Sequence, residues 1–124
     1  MTNKEFKALK AHMLMLGWTR DFTKFTNSNY RQQLVKEYTR PGATYKSAAG
    51  NTHTRPSVTK KIVATFSEAR NGDGTVRRGH WRVKMSHIDG NTGKFAAPIH
   101  KAFEKIERAE QIAEKWAEGG PRDT

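Results

Sequence analysis

Arg77, Arg78, Arg82 and Lys84 bracket a tryptophan in the segment Arg77-Arg78-Gly79-His80-Trp81-Arg82-Val83-Lys84-Met85. Successive side chains of a strand alternate between its faces, so Trp81, Val83 and Met85 belong to one side. Arg78, His80, Arg82, Lys84 and Ser86 then belong to the other, with Arg77 in the turn before them. Guanidinium and ammonium groups on an open face are chemistry for phosphate, by charge and by hydrogen bonding. A second group lies in residues 40–59, a stretch with two prolines and no acidic residue that holds Arg40, Tyr45, Lys46, His53 and Arg55. That stretch shows no apolar periodicity and reads as a long basic loop, suited to lie along a phosphate backbone, with Tyr45 as its best ring for stacking on a base.

Catalytic chemistry finds less support. The histidines His12, His53, His80, His87 and His100 are scattered and form no metal-binding helical pair. His80 and His87 fall on opposite faces of a regular strand. Before residue 100 the carboxylates are Glu5, Asp21, Glu37, Glu68, Asp73 and Asp89, without the clustering that a metal-dependent nuclease needs. Asp73 and Asp89 sit in glycine-rich turns, where local backbone hydrogen bonding accounts for them. The chain has no cysteine, no phosphate-binding glycine loop and no calcium-loop spacing. The expectation is a protein that is not an enzyme and uses no cofactor or metal.

Charge points the same way as the basic segments. Among 124 residues, 23 Lys and Arg stand against 12 Asp and Glu, a net charge of +11. Such a field attracts polyanions, nucleic acid above all. It is uneven: residues 1–100 hold 18 basic and 6 acidic side chains, residues 101–124 hold 5 and 6. The first hundred residues should therefore supply the binding surface and the C-terminal segment a structural part. No apolar run suits a membrane span, and the N-terminus lacks a secretory apolar region, which predicts a cytoplasmic protein without a membrane partner.

The elements that must position these groups follow from periodicity. Thr2 with Glu5 forms a capping-box pattern, Phe6, Leu9, Met13 and Leu16 recur at helical spacing, and Gly17 offers a stop, which predicts a helix over residues 3–16. From Trp18 to Phe25 and from Tyr30 to Thr39 a hairpin is expected around Asn27-Ser28-Asn29. Phe22 and Phe25 differ in parity, so one must sit at a bulge or an edge. A second hairpin joins Lys61–Ala69 to Thr75–Ile88 through Asn71-Gly72-Asp73-Gly74. A turn over Asp89–Gly93 and a short strand at Lys94–Ala97 follow. Pro98 then opens a long helix whose Ala102, Phe103, Ile106, Ala109, Ile112, Ala113 and Trp116 make a broad apolar stripe. Trp81 and Trp116 read as core, while Trp18 leaves core and stacking open.

The order of hairpin, short strand and helix resembles the β-β-β-α DNA-binding modules of the AP2 and phage-integrase arm-binding type. Gly79-His80-Trp81-Arg82-Val83, the Gly93-Lys94 turn, and Phe103 six residues before Ala109 with Ala113 and Trp116 beyond carry the likeness. It spans residues 62–118 and implies a sheet face that reads DNA, with the helix buttressing its back. Arg78, Arg82 and Lys84 would then occupy the reading face. Lys105 stands where such modules cap the helix with threonine, and a further helix and hairpin precede the module.

Together these observations predict one α+β domain over residues 1–118: an N-terminal helix, two antiparallel hairpins with a short strand forming a sheet, and a long C-terminal amphipathic helix packed on it. Residues 119–124 form a frayed tail. The expected function is nucleic-acid binding, DNA ahead of RNA, through Arg40, Tyr45, Lys46, Arg55, Arg77, Arg78, Arg82 and Lys84. The alternative is an inhibitor or adaptor of the kind phages and mobile elements encode, docking its basic surface on an acidic or nucleic-acid-handling protein.

Overall fold

The computed structural model describes residues 1–25, 29–87, 90–95 and 97–119, without the side chains of Asn29, Ala69, His80, Asn91, Thr92 and Lys94. The expected turn at 27–28, Asp89, Ala96 and most of the tail lie outside the described residues, as does the His80 side chain.

Helix α1 (Asn3–Met15) starts where the Thr2 hydroxyl accepts the Glu5 N–H at 3.2 Å. It ends in a Schellman motif: Trp18 N–H donates to the Met13 carbonyl, Gly17 N–H to that of Leu14, and Gly17 takes a φ of 97°. That closure tucks Trp18 into the interior, 2% exposed, which settles it as core.

Five strands then form one antiparallel sheet, β1 (Thr19–Phe25), β2 (Asn29–Arg40), β5 (Val58–Arg70), β6 (Val76–His87) and β7 (Gly90–Phe95), in that spatial order. Helix α2 (Ile99–Ala117) returns across it. The α+β architecture is the expected one. Asp21 forms the bulge of β1, between the Arg20 and Phe22 pairings. Because the bulge precedes both rings, Phe22 and Phe25 remain on opposite faces of an edge strand. The Asn71–Gly74 turn forms as expected, with the Asp73 carboxylate accepting from the Thr75 N–H and hydroxyl.

Two expectations need correction. Residues 40–59 are not a loop: they contain β3 (Ala43–Lys46) and β4 (Thr52–Arg55), paired antiparallel. The register of β2 on β5, ending at Arg40 opposite Val58, resumes at Ala43 opposite Arg55 with no residue gained or lost. The two hairpin arms thus run on past Pro41-Gly42 and Pro56-Ser57, where proline denies the ladder its donors. Gly42 is needed at this joint, since a Cβ there would lie 2.6 Å from the Arg55 carbonyl oxygen. The second correction concerns residues 90–93, which pair with β6 rather than forming a turn. Gly90 and Gly93 have positive φ, and the ladder shifts register between Met85 and Ser86.

Both helices cover the same face of the sheet. Leu34, Ile62, Ala64, Phe66, Trp81, Val83, Met85 and Phe95 from the strands meet Phe6, Leu9, Met13, Ala102, Ile106, Ala109, Ala113 and Trp116 from the helices in one cluster. Phe6 stacks on Trp81 at 3.7 Å and meets Phe66 edge-on at 5.2 Å, and the Trp81 indole N–H donates to Asn3 Oδ1 at 2.7 Å. Val35 is the buried aliphatic that stays outside this cluster, because it points to the other face.

Candidate nucleic-acid interface

Alternation sends every second side chain of the sheet away from the helices, and among the described residues no element covers that outer face. Register aligns its side chains in rows across the strands. One row runs Lys24, Arg31, Ser67, Arg82; the next runs Phe22, Gln33, Thr65, Lys84. Lys24, Arg31, Arg82 and Lys84 are all exposed. Gln33 donates to the Thr65 hydroxyl at 3.1 Å, so short polar side chains fill the floor between the cations. Strand spacing puts neighbours in a row ~4.8 Å apart and Arg82 and Lys84 ~6.6 Å apart, a density of cations suited to successive phosphates.

Charge pairing separates the two faces. The described ion pairs are Lys36 with Glu110 at 2.6 Å and Arg70 with Glu68 at 3.3 Å, both on the helix side. Neither Lys24, Arg31, Arg82 nor Lys84 has a carboxylate within ion-pair distance among the described residues. Lys61, also on the outer face, stands opposite Glu37 in the ladder. On the inner side, burial works against the Lys36 ammonium, but the hydrogen bond and charge of Glu110, aided by nearby Tyr38, outweigh it and hold its pKa above the usual lysine value. Burial likewise raises the Tyr38 phenol; Lys36 opposes that rise and Glu110 supports it. Lys10 on α1 is pushed down by partial burial and by the charge of Arg20.

The predicted site residues divide into four groups. Arg82 and Lys84 lie on the outer face as expected. Arg78 is exposed but lies within a slip in the ladder, where Glu68 pairs with Trp81 and Arg70 with Val76, so strand parity does not set it in line with Arg82. Arg77 is tied to the turn, its Nε donating to Asn71 Oδ1 at 3.3 Å. Tyr45, Lys46 and Arg55 lie on the β3–β4 ribbon. There Tyr45 stacks with His53, directly opposite it, at 5.3 Å, and the Arg55 guanidinium lies 6.0 Å from the Tyr45 ring centre. Arg40 is different: half-buried on the helix side, it reaches the Gly119 carbonyl at 3.5 Å and braces the end of α2.

Sequence reasoning passed over Lys24 and Arg31. Each is an isolated cation in a strand of mixed composition, and only cross-strand register brings them beside Arg82. The three tryptophans are interior, between 2% and 7% exposed, so none is a stacking platform. Among the described residues no group of three His, Asp or Glu side chains could hold a metal ion, and no helix is long and apolar enough to cross a membrane. No protein-family model, curated protein or solved structure matches the chain.

Proposed function

We propose that this protein binds nucleic acid non-catalytically, with the outer sheet face on the phosphate backbone and the β3–β4 ribbon as a second contact. The observation that carries the reading is the row Lys24, Arg31, Arg82, with Lys84 beside it, on the face away from the helices, with no carboxylate within ion-pair distance of any of the four among the described residues. Cations left unpaired on a folded surface repel one another, so a surface that keeps them together is matched to a polyanion. The net charge of +11 adds long-range attraction to that local match. DNA is the favoured polymer, in keeping with the sheet-face reading mode that the resemblance implies.

Fluorescence anisotropy with labelled duplex DNA, single-stranded DNA and duplex RNA across a salt series tests this. Tight, salt-steep binding is expected, and Arg31→Ala with Arg82→Ala should weaken it on every sequence and reduce the slope of log K against log salt by about two. Weak binding to all three polymers at physiological salt would sink the reading and turn attention to an acidic protein partner, sought by pulldown after nuclease treatment.

A further inference from the structure

Among the described residues the exposed aromatic rings are Phe22, Phe25 and Tyr45. Two of them are already engaged. On the helix side of the sheet, the Arg70 guanidinium lies 4.2 Å from the Phe25 ring centre and Tyr30 meets that ring edge-on at 5.7 Å. Tyr45 sits on the projecting β3–β4 ribbon, whose register continues that of the hairpin, so Tyr45, His53 and Arg55 share the outer side while Thr44 and Thr54 share the helix side. There His53 stacks on Tyr45 and the Arg55 guanidinium stands near it. Phe22 differs from both: it is 42% exposed, and among the described residues no other ring and no cation engages its own.

Phe22 lies on the outer face, inside the rows of cations. It pairs across the ladder with Gln33, Lys24 follows two residues on along β1, and Arg31, opposite Lys24, is its diagonal neighbour. Strand geometry puts Gln33 ~5 Å from it, and Lys24 and Arg31 each ~7 Å. A single exposed ring is ordinary on a protein surface. An unengaged ring set among unpaired cations offers more, a π-face for a base and charge for the phosphates on either side of that base. The Gln33 amide, anchored through its N–H to the Thr65 hydroxyl, adds a carbonyl oxygen that can accept from a base edge.

We infer that Phe22 is a stacking platform for an unpaired base and that the outer face binds single-stranded DNA, an assignment that rests on the nucleic-acid reading above and takes DNA from it. Stacking decides the strand form. Within a duplex each base has its faces covered by neighbours and its edge paired, so none can lie on the ring without leaving the helix. A single strand offers its base faces at far lower cost. Phosphates flanking the stacked base meet Lys24 and Arg31. Arg82, three strand spacings or ~14 Å from Lys24 in the same row, and Lys84 beside it hold the strand as it continues across the sheet.

The test measures the affinity of wild type and of Phe22 variants for single-stranded DNA, single-stranded RNA and duplex DNA across a salt series. Phe22→Ala should lose about tenfold or more on single-stranded DNA with an unchanged salt slope, because the ring neutralises no phosphate. Phe22→Leu, which keeps apolar bulk on the edge strand but has no ring, should lose nearly as much and serves if alanine unsettles β1. Phe22→Trp should keep the affinity, and its added indole emission should be quenched by single-stranded DNA, a signal the interior native tryptophans do not give. Phe25→Ala, on the opposite face, should leave the affinity unchanged. Wild-type affinity in folded Phe22→Leu, or equal losses on single-stranded and duplex DNA, would overturn the platform. Tighter wild-type binding to single-stranded RNA than to single-stranded DNA would overturn the choice of DNA. If Phe22 proves indifferent while Arg31→Ala with Arg82→Ala still weakens binding, the sheet-face reading survives without the platform. A wild-type protein that binds none of the three polymers removes both.

Discussion

The two faces of the sheet are built from the same strands and carry opposite solutions to charge. Toward the helices, Lys36 and Arg70 each meet a carboxylate, Glu110 and Glu68, and their charged groups lie over aromatic rings, that of Tyr38 for Lys36 and those of Phe25 and Tyr30 for Arg70. Away from the helices, Lys24, Arg31, Arg82 and Lys84 stand in water around small polar side chains. A charge partly removed from water needs a partner to offset desolvation, whereas a solvated one can remain unpaired at little cost. The inner cations therefore serve the fold. The outer ones are available to a ligand.

Substitutions should separate these roles. Phe66→Ala, on the inner face and fully buried, should cost about 3–5 kcal/mol of stability in urea unfolding, through the cavity it leaves. Against this, Arg31→Ala with Arg82→Ala should change stability by less than about 0.5 kcal/mol while weakening nucleic-acid binding about tenfold or more. A large stability loss in that pair would erase the contrast between the faces.

Glu110→Gln probes the inner pairing and should cost about 1–2 kcal/mol near neutral pH, between the values for exposed and buried ion pairs. The pH dependence has a definite sign. Lys36 and Tyr38 both hold their protons more tightly in the folded chain than at their ordinary values of 10.5 and 10.0. Their stabilisation is complete below those values and is lost as pH rises through the folded ones. Unfolding curves of wild type should thus weaken above about pH 10, and Glu110→Gln should remove the Lys36 share while the burial-driven Tyr38 share persists.

The smallest effect is expected at the outer turn. Hydrogen bonds from the Thr75 hydroxyl and N–H hold the Asp73 carboxyl below its ordinary 3.8. That local contribution is present above 3.8 and fades as pH falls through the folded value. The Thr75 amide shift, followed by NMR, should titrate below 3.8 and lose that inflection in Asp73→Ala.

Much of this architecture is legible from local pattern. Capping at Thr2, the stop at Gly17, the turn around Asp73 and the stripe from Ala102 to Trp116 each involve residues within a few positions of one another, so the chain states them directly. Arg82 and Lys84 were legible for the same reason: strict alternation with Trp81, Val83 and Met85 assigns their face without knowledge of neighbouring strands. The stretch from 40 to 59 was not legible as a ribbon. Its two prolines and its small residues are loop signals, and no apolar alternation marks strands that have no core to face. Its pairing is inherited from the hairpin below it, whose register propagates through the breaks.

The sequence by itself determined a basic, cysteine-free α+β chain, the positions of both helices and the parity of the second hairpin, because those properties depend on composition and on short-range spacing. Tertiary structure alone decided that Lys24 and Arg31 join Arg82 in one row, that Arg40 braces α2, and that Thr44 and Thr54 share a face of a projecting ribbon. Each of those facts depends on which residue lies opposite which across a ladder, and register between strands distant in sequence is set by packing of the whole sheet against its helices.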